Sequence, residues 1–329
     1  MQKRHIWLDI ARCFAIICVI IHHTKLVDLS TGESQYICDF FDYLILPFFL
    51  PLFFFLSGEA LYLSRITKNW SVKDFYIDKA KRLLVPFAFF VTVYFGMKMV
   101  FSGFVKTQAI FSFSYYLESF VYYKEHPTFT LWFLATLSTF MLMYPLFRFL
   151  CRKVTYMCGF LVFCIAFYFV DLFEYVPNVF NIAELNLYLV FFFSGIFFFR
   201  YNLYKYLDSY VALISSTAVY VLSYYYLGEN IIASFSGIFM MCSLSQILVR
   251  YVPNLFSSFR DNIYQIYLMS MIFQGFVELI LWKKLFYNED LVLFFYVLNI
   301  LSGIIFPMLV VKVVEKCPVK IVRMCFGLK

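Results

Sequence analysis

The residues able to do chemistry crowd into roughly the first 135 positions of the chain. The stretch from Ile6 to His23 reads IWLDIARCFAIICVIIHH. Wound as a helix, it puts Arg12 and His23 within about 20° of each other, with Asp9 about 40° from His23 on the same side. His22 points about 100° away. Apolar Ile16 and Val19 interrupt this stripe, so it is not a solvated face. Arg12 sits near one end and His23 about 16 Å further along. An imidazole takes and returns protons near neutral pH, and a guanidinium grips carboxylates or phosphates. The stripe is therefore either a functional constellation, or an interfacial Asp9–Arg12 pair plus a histidine satisfied by a neighbouring helix.

Three more stretches carry polar groups in apolar surroundings. PLFFFLSGE, Pro51 to Glu59, follows Pro47. Two prolines and a glycine let a membrane helix bend or unwind where it lines a cavity, which would turn Ser57 and Glu59 toward that cavity. The plainer alternative is that Gly58 permits close helix packing and Glu59 nears the inner headgroups. KAKRLLVPF, Lys79 to Phe87, sets Lys79 and Arg82 three residues apart at a span's inner edge. Two cations on one helix face can clamp phosphates, or they are ordinary cytoplasmic decoration. His126, Pro127 and TLWFLATL then bring in Trp132, either an interfacial anchor or part of a site. Gln246 and Glu278 stand isolated, and Asn262, Gln265 and Tyr267 open a late helix with a polar turn that capping explains.

The elements that position these residues must sit in lipid. Of 329 residues, 63% are hydrophobic and 14% charged, with mean hydropathy +0.81. A soluble domain carries about 25% charge. The 46 Phe and 27 Tyr exceed what one water-facing core of this size can hide. A soluble enzyme, a disordered tail and a coiled-coil or collagen-like rod are excluded. The nine cysteines are irregularly spaced without a CxxC pair, which reads as apolar filler; no metal site is expected. The first apolar run is too long for a signal-peptide core and lacks a small-residue cleavage site, so no cleavable leader is expected.

A bilayer span needs about 20 apolar residues, and ten runs qualify, at roughly 6–28, 40–63, 83–103, 129–148, 155–172, 185–200, 209–227, 231–249, 262–282 and 291–312. The expectation is an all-α integral membrane bundle of about ten helices, one membrane-embedded domain over residues 1–329. Its longest outer segment, Phe104 to Thr128, is amphipathic and aromatic. With the N-terminus inside, twenty of the 27 Lys and Arg fall in inner segments and four in outer ones. That asymmetry points to N-in and C-in. It also accounts for the +7 net charge without a nucleic-acid partner.

Taken together, the motifs resemble the integral-membrane acyltransferase family 3, the bacterial saccharide O-acyltransferases. Arg12 and His23 match its Arg-x10-His signature, within an LD-xx-R pattern made by Leu8, Asp9 and Arg12. PLFFFLSGE is similar to its PLFFFxSG stretch, and KRLLVPF to its basic-then-proline third-helix entry. LWFL, Leu131 to Leu134, is similar to its WFL element, and FFFSGIFFFR, Phe191 to Arg200, to its later aromatic-glycine helix. The order covers residues 4 to about 200. The late stretch DNIYQIYLMS departs from the family, with Ser270 where His often stands, which leaves His23 as the histidine to carry the chemistry.

The resemblance implies transfer of an acetyl or other short acyl group from cytoplasmic acyl-CoA to a hydroxyl of a cell-surface saccharide or its lipid-linked precursor. Acetyl-CoA would be a co-substrate, with no permanently bound cofactor. The setting would be the bacterial inner membrane, with lipid as the other partner. CoA phosphates would meet Arg82, Lys79 and Arg12, and the pantetheine arm would thread between the first three helices to His23. Neutral His23, with a reference pKa of about 6.5, would take the acceptor's proton as its oxygen attacks the thioester. Glu59 would orient or balance the stripe. Ser57 or Trp132 would donate to the oxyanion. Direct attack is favoured over an acyl-enzyme on Cys18, Ser57 or His23. The competing class is a transporter or flippase for a saccharide or small solute, to which ten helices with buried charge and kinks are equally suited. Against it, no matching pair of broken helices appears in the two halves. A membrane scaffold would not need the Arg/His stripe.

Overall fold

Apolar runs of this length leave the backbone no water to bond, so each must satisfy its own N–H and C=O groups as a helix. The computed structural model describes residues 5–24, 33–101, 112–122, 128–172, 175–286 and 289–328, and among them there is helix and no strand. In chain order the helices are α1 (Ile6–His22), α2 (Glu33–Ile45), α3 (Phe49–Leu61), α4 (Val72–Lys79), α5 (Val85–Val100), α6 (Phe113–Glu118), α7 (Trp132–Leu142), α8 (Tyr144–Leu150), α9 (Val154–Tyr168), α10 (Leu185–Arg200), α11 (Tyr210–Leu227), α12 (Ile231–Tyr251), α13 (Ile263–Phe276), α14 (Val292–Glu315) and α15 (Lys320–Cys325).

Seven helical stretches among the described residues are long and apolar enough to cross a membrane: Asp39–Ile66, Val72–Val100, Val179–Arg200, Tyr210–Leu227, Ile231–Tyr251, Ile263–Leu285 and Val292–Glu315. The pair α7 and α8, bent by 55°, makes an eighth if counted as one span. The sequence offers ten apolar runs. The difference lies in α1 and α9, which are helical but only 17 and 15 residues long. The end of the first run, from Lys25 onward, lies outside the described residues, as do His126, Pro127 and most of the Phe104–Thr128 segment.

The chain divides into two compact units, one of Met1–Ser64 with Phe191–Met308, the other of Arg65–Val190 with Leu309–Lys329. In the first unit, the break between α2 and α3 follows from two prolines. Near Pro47 the Phe48 N–H reaches only Ile45 O, at 3.2 Å, and the Tyr220 hydroxyl donates to the freed Leu44 carbonyl. Pro51 has no N–H to offer Pro47 O, and the Ser234 hydroxyl donates to it at 2.7 Å. Side chains from α11 and α12 thus satisfy the backbone that the prolines orphan. These two helices form a hairpin whose second member is capped by Asn230, its Oδ1 accepting from the N–H of Ile232 and of Ala233 at 2.9 Å each.

Helices α3 and α10 touch backbone to backbone. A Cβ at Gly58 would lie 1.9 Å from Phe192 O, and one at Gly195 would lie 2.0 Å from Phe55 O. Only glycine at both places allows this crossing, the small-residue contact that lets membrane helices approach closely. Gly58 therefore follows the close-packing alternative. Cys13, Cys18, Cys151, Cys164 and Cys242 are buried free thiols, in keeping with their reading as filler.

The second unit is held by aromatic and polar ties. Ser71 caps α4, its hydroxyl oxygen accepting from Asp74 N–H at 3.1 Å. Phe75 of α4 stacks on Tyr144 of α8, centroids 3.9 Å apart. The Tyr144 hydroxyl and Arg148 Nη1 both donate to Trp70 O, at 2.9 and 3.1 Å. Buried Asn181, at φ +59°, donates to Thr136 Oγ1 at 2.8 Å and to Glu184 at 3.1 Å.

Candidate functional site

Unbroken helical register through Ile6–His22 realises the stripe. Arg12 lies on it, Ile16 and Val19 are buried on the same side, and His23 follows as the capping residue, its N–H donating to Val19 O at 3.1 Å. The Arg12 guanidinium is claimed by two carboxylates. Nη1 donates to Asp9 Oδ1 at 3.2 Å, within α1, and Nη2 donates to Glu59 Oε2 at 2.5 Å, from α3. Glu59 is 1% exposed, so it packs against α1 rather than facing out. Its position is set by the glycine crossing, since a Cβ at Gly195 would stand 3.1 Å from the Glu59 backbone nitrogen. One part-buried cation held between two carboxylates ties α1 to α3. It uses two of the five guanidinium N–H donors.

The far end of α1 is closed from α13. The last carbonyls of a helix have no partner within it. Gln274 Nε2 donates to Ile20 O at 2.9 Å and to Thr24 Oγ1 at 3.0 Å, and the Thr24 hydroxyl itself donates to Ile20 O at 2.9 Å. These bonds pin the turn that carries His23, which is half-buried. Its neighbour His22 lies with Nδ1 2.6 Å from Asp42 Oδ1 of α2. The two imidazole centroids are 5.2 Å apart, and the His22 ring is 4.9 Å from that of Phe49. Ser57 is half-buried on α3.

In the second unit, a π-helical turn, Ala80–Leu84, separates α4 from α5. Its wider winding interrupts the single α-helical face expected for Lys79 and Arg82. Lys79 Nζ lies 5.6 Å over the Phe75 ring, whereas Arg82 Nε is 2.9 Å from Asp78 Oδ1 and its side chain is 47% exposed. Asp78 also receives Arg65 Nη2 at 2.7 Å, and Arg65 lies 4.0 Å over the Trp70 ring. Trp132 opens α7, its ring 5.4 Å from Tyr188. Gln246, isolated in the sequence, donates to Tyr204 O at 3.1 Å. Sequence reasoning missed Asp42, partnered to the preceding helix, and Gln274, partnered to α1 from 254 positions away.

Fold and polar stripe define a multi-pass helical membrane protein with charged groups tied inside its bundle. Residues 5–312 match the acyltransferase domain of acyltransferase family 3, and the chain belongs to that family. No curated protein and no solved structure is similar enough to the chain to count as a match.

Proposed function

We propose that this membrane acyltransferase moves an acetyl or other short acyl group from acyl-CoA to a hydroxyl of a cell-surface saccharide or its lipid-linked precursor, from a bacterial inner membrane with both termini cytoplasmic. The observation that carries the reading is the Arg12 tie to Asp9 and Glu59, on the same stripe of α1 that ends in His23. Its hydrogen-bonded charges, with the Glu59 side chain fully buried, hold α1 against α3 and so orient the imidazole at the helix end. His23 takes the proton from the acceptor hydroxyl as that oxygen attacks the thioester carbonyl carbon, the carbon–sulfur bond breaks, and the proton ends on the CoA thiolate. Glu59 is a positioning group acting through Arg12. Ser57 and Trp132 are the candidate oxyanion donors. Arg82, exposed and only partly engaged by Asp78, with Lys79, is the proposed contact for CoA phosphates.

The test is CoA thiol release from acetyl-CoA by purified protein in lipid nanodiscs, with and without oligosaccharide. The expected result is release that rises when acceptor is added, with label recovered on the saccharide. Saccharide uptake into proteoliposomes without label transfer would overturn the reading in favour of a carrier.

A further inference from the structure

His22 is tied to a carboxylate, and the tie lies beside the imidazole assigned as the base. Nδ1 of His22 is 2.6 Å from Asp42 Oδ1, with side chains 25% and 30% exposed. An ionised carboxylate only accepts, so the imidazole donates its Nδ1–H and keeps the Nε2 lone pair. The same carboxylate balances the ring's charge when a second proton arrives, as in the carboxylate–imidazole half of a hydrolase triad. The Asp42 position has a structural cause. It lies on α2, which the Pro47 break separates from α3, while the His22 ring packs at a 40° tilt against Phe49 just beyond that break. His23 follows in the chain, its ring centroid 5.2 Å from that of His22 and the planes 60° apart.

We propose that Asp42 and His22 form a proton-holding pair for His23, an inference that rests on the reading of His23 as the base. In the transfer, the acceptor oxygen bonds to the carbonyl carbon and the sulfur leaves. The hydroxyl proton passes to His23, and the same proton returns to the thiolate. In between, two neighbouring imidazoles share one extra positive charge. The Asp42 carboxylate, acting through His22, stabilises that charge. His22 and Asp42 are thus positioning residues. A purely structural tie between α1 and α2 would instead alter folding and substrate affinity without a specific effect on turnover.

The experiment compares wild type, Asp42→Asn, Asp42→Glu, His22→Gln and His23→Ala as purified proteins of matched melting temperature, measuring kcat and KM for acetyl-CoA. The expected result for Asp42→Asn and His22→Gln is a kcat lowered about 10-fold or more, with KM for acetyl-CoA changed by less than roughly twofold. Asp42→Glu, which restores the charge, is expected to recover part of the lost kcat. Asp42 carries the test on its own if His22→Gln does not fold. Wild-type kcat in Asp42→Asn, or a loss that Asp42→Glu does not relieve, overturns the proposal. Failure of the underlying reading looks different, because His23→Ala then remains active whatever the Asp42 variants do.

Discussion

Arg12 has more to hold than any other side chain on α1. Its guanidinium sits between Asp9 and Glu59, and removing it leaves two carboxylates without their cation, one of them almost fully buried. Breaking a buried pair from one side costs about 3–5 kcal/mol, and the partial exposure of Arg12 places Arg12→Ala near the low end, about 3 kcal/mol. Glu59→Gln keeps a neutral acceptor for Nη2 and leaves Asp9 to balance the charge, so its cost is expected near 1–2 kcal/mol. Thermal unfolding in one detergent checks the order, and a Glu59→Gln protein less stable than Arg12→Ala would contradict it. The stripe itself was legible in the sequence because Asp9, Arg12 and His23 share one helix and one period. The Arg12–Glu59 partnership was not, since nothing local relates residues 47 positions apart. Asp42 escaped notice for another reason. It stands at the edge of an apolar run, where a carboxylate reads as solvated, and only the fold turns it toward His22.

Helices decide whether those side chains meet. The α3–α10 contact brings Glu59 to Arg12, and it exists because neither Gly58 nor Gly195 has a Cβ. Gly195→Ala puts a methyl group into the Phe55 carbonyl oxygen, which a rigid backbone cannot yield. Overpacking costs about 1–3 kcal/mol or more, and here the helices must part, so activity is expected to fall with stability. Gly159→Ala, whose added Cβ meets nothing within 4 Å, is the control and is expected to behave as wild type. Melting curves and acyl transfer measured on both variants check this. The proline break was legible as a bend in the sequence, but which carbonyls it frees and which hydroxyls rescue them was not. The π-helical turn at Ala80–Leu84 was also invisible to a 3.6-residue period, and Lys79 and Arg82 have different partners. Because Arg82 is the more exposed of the two, Arg82→Ala is expected to raise KM for acetyl-CoA several-fold and to leave KM for the acceptor within roughly twofold. Steady-state kinetics with each substrate varied in turn checks it, and an unchanged donor KM would count against the assignment.

Across the whole molecule, composition established the membrane setting before any helix was drawn. Each of the ten apolar runs is helical over most of its described residues, yet among the described residues length and composition qualify only seven stretches as spans, or eight with the bent α7–α8 pair. Hydropathy measures how apolar a run is and not where its helix stops, so α1, ending at His22, and the 15-residue α9 look longer in the sequence than they are. Orientation rests on the cation asymmetry, twenty inner Lys and Arg against four outer. A fluorescent reporter fused after Lys329 is expected to fluoresce in cells, and a periplasm-dependent phosphatase at the same place is expected to be inactive. The opposite pair of results would place the C-terminus outside, and Arg82 on the wrong side for cytoplasmic CoA.

Labelled acetyl transfer by His23→Ala in nanodiscs reads out whether the imidazole of His23 takes the acceptor's proton. The variant is expected to fold well and its transfer to oligosaccharide to fall by about 10²–10⁴-fold, the range a positioned proton acceptor supplies. Transfer at the wild-type rate by a His23→Ala protein with an unchanged melting temperature would contradict it.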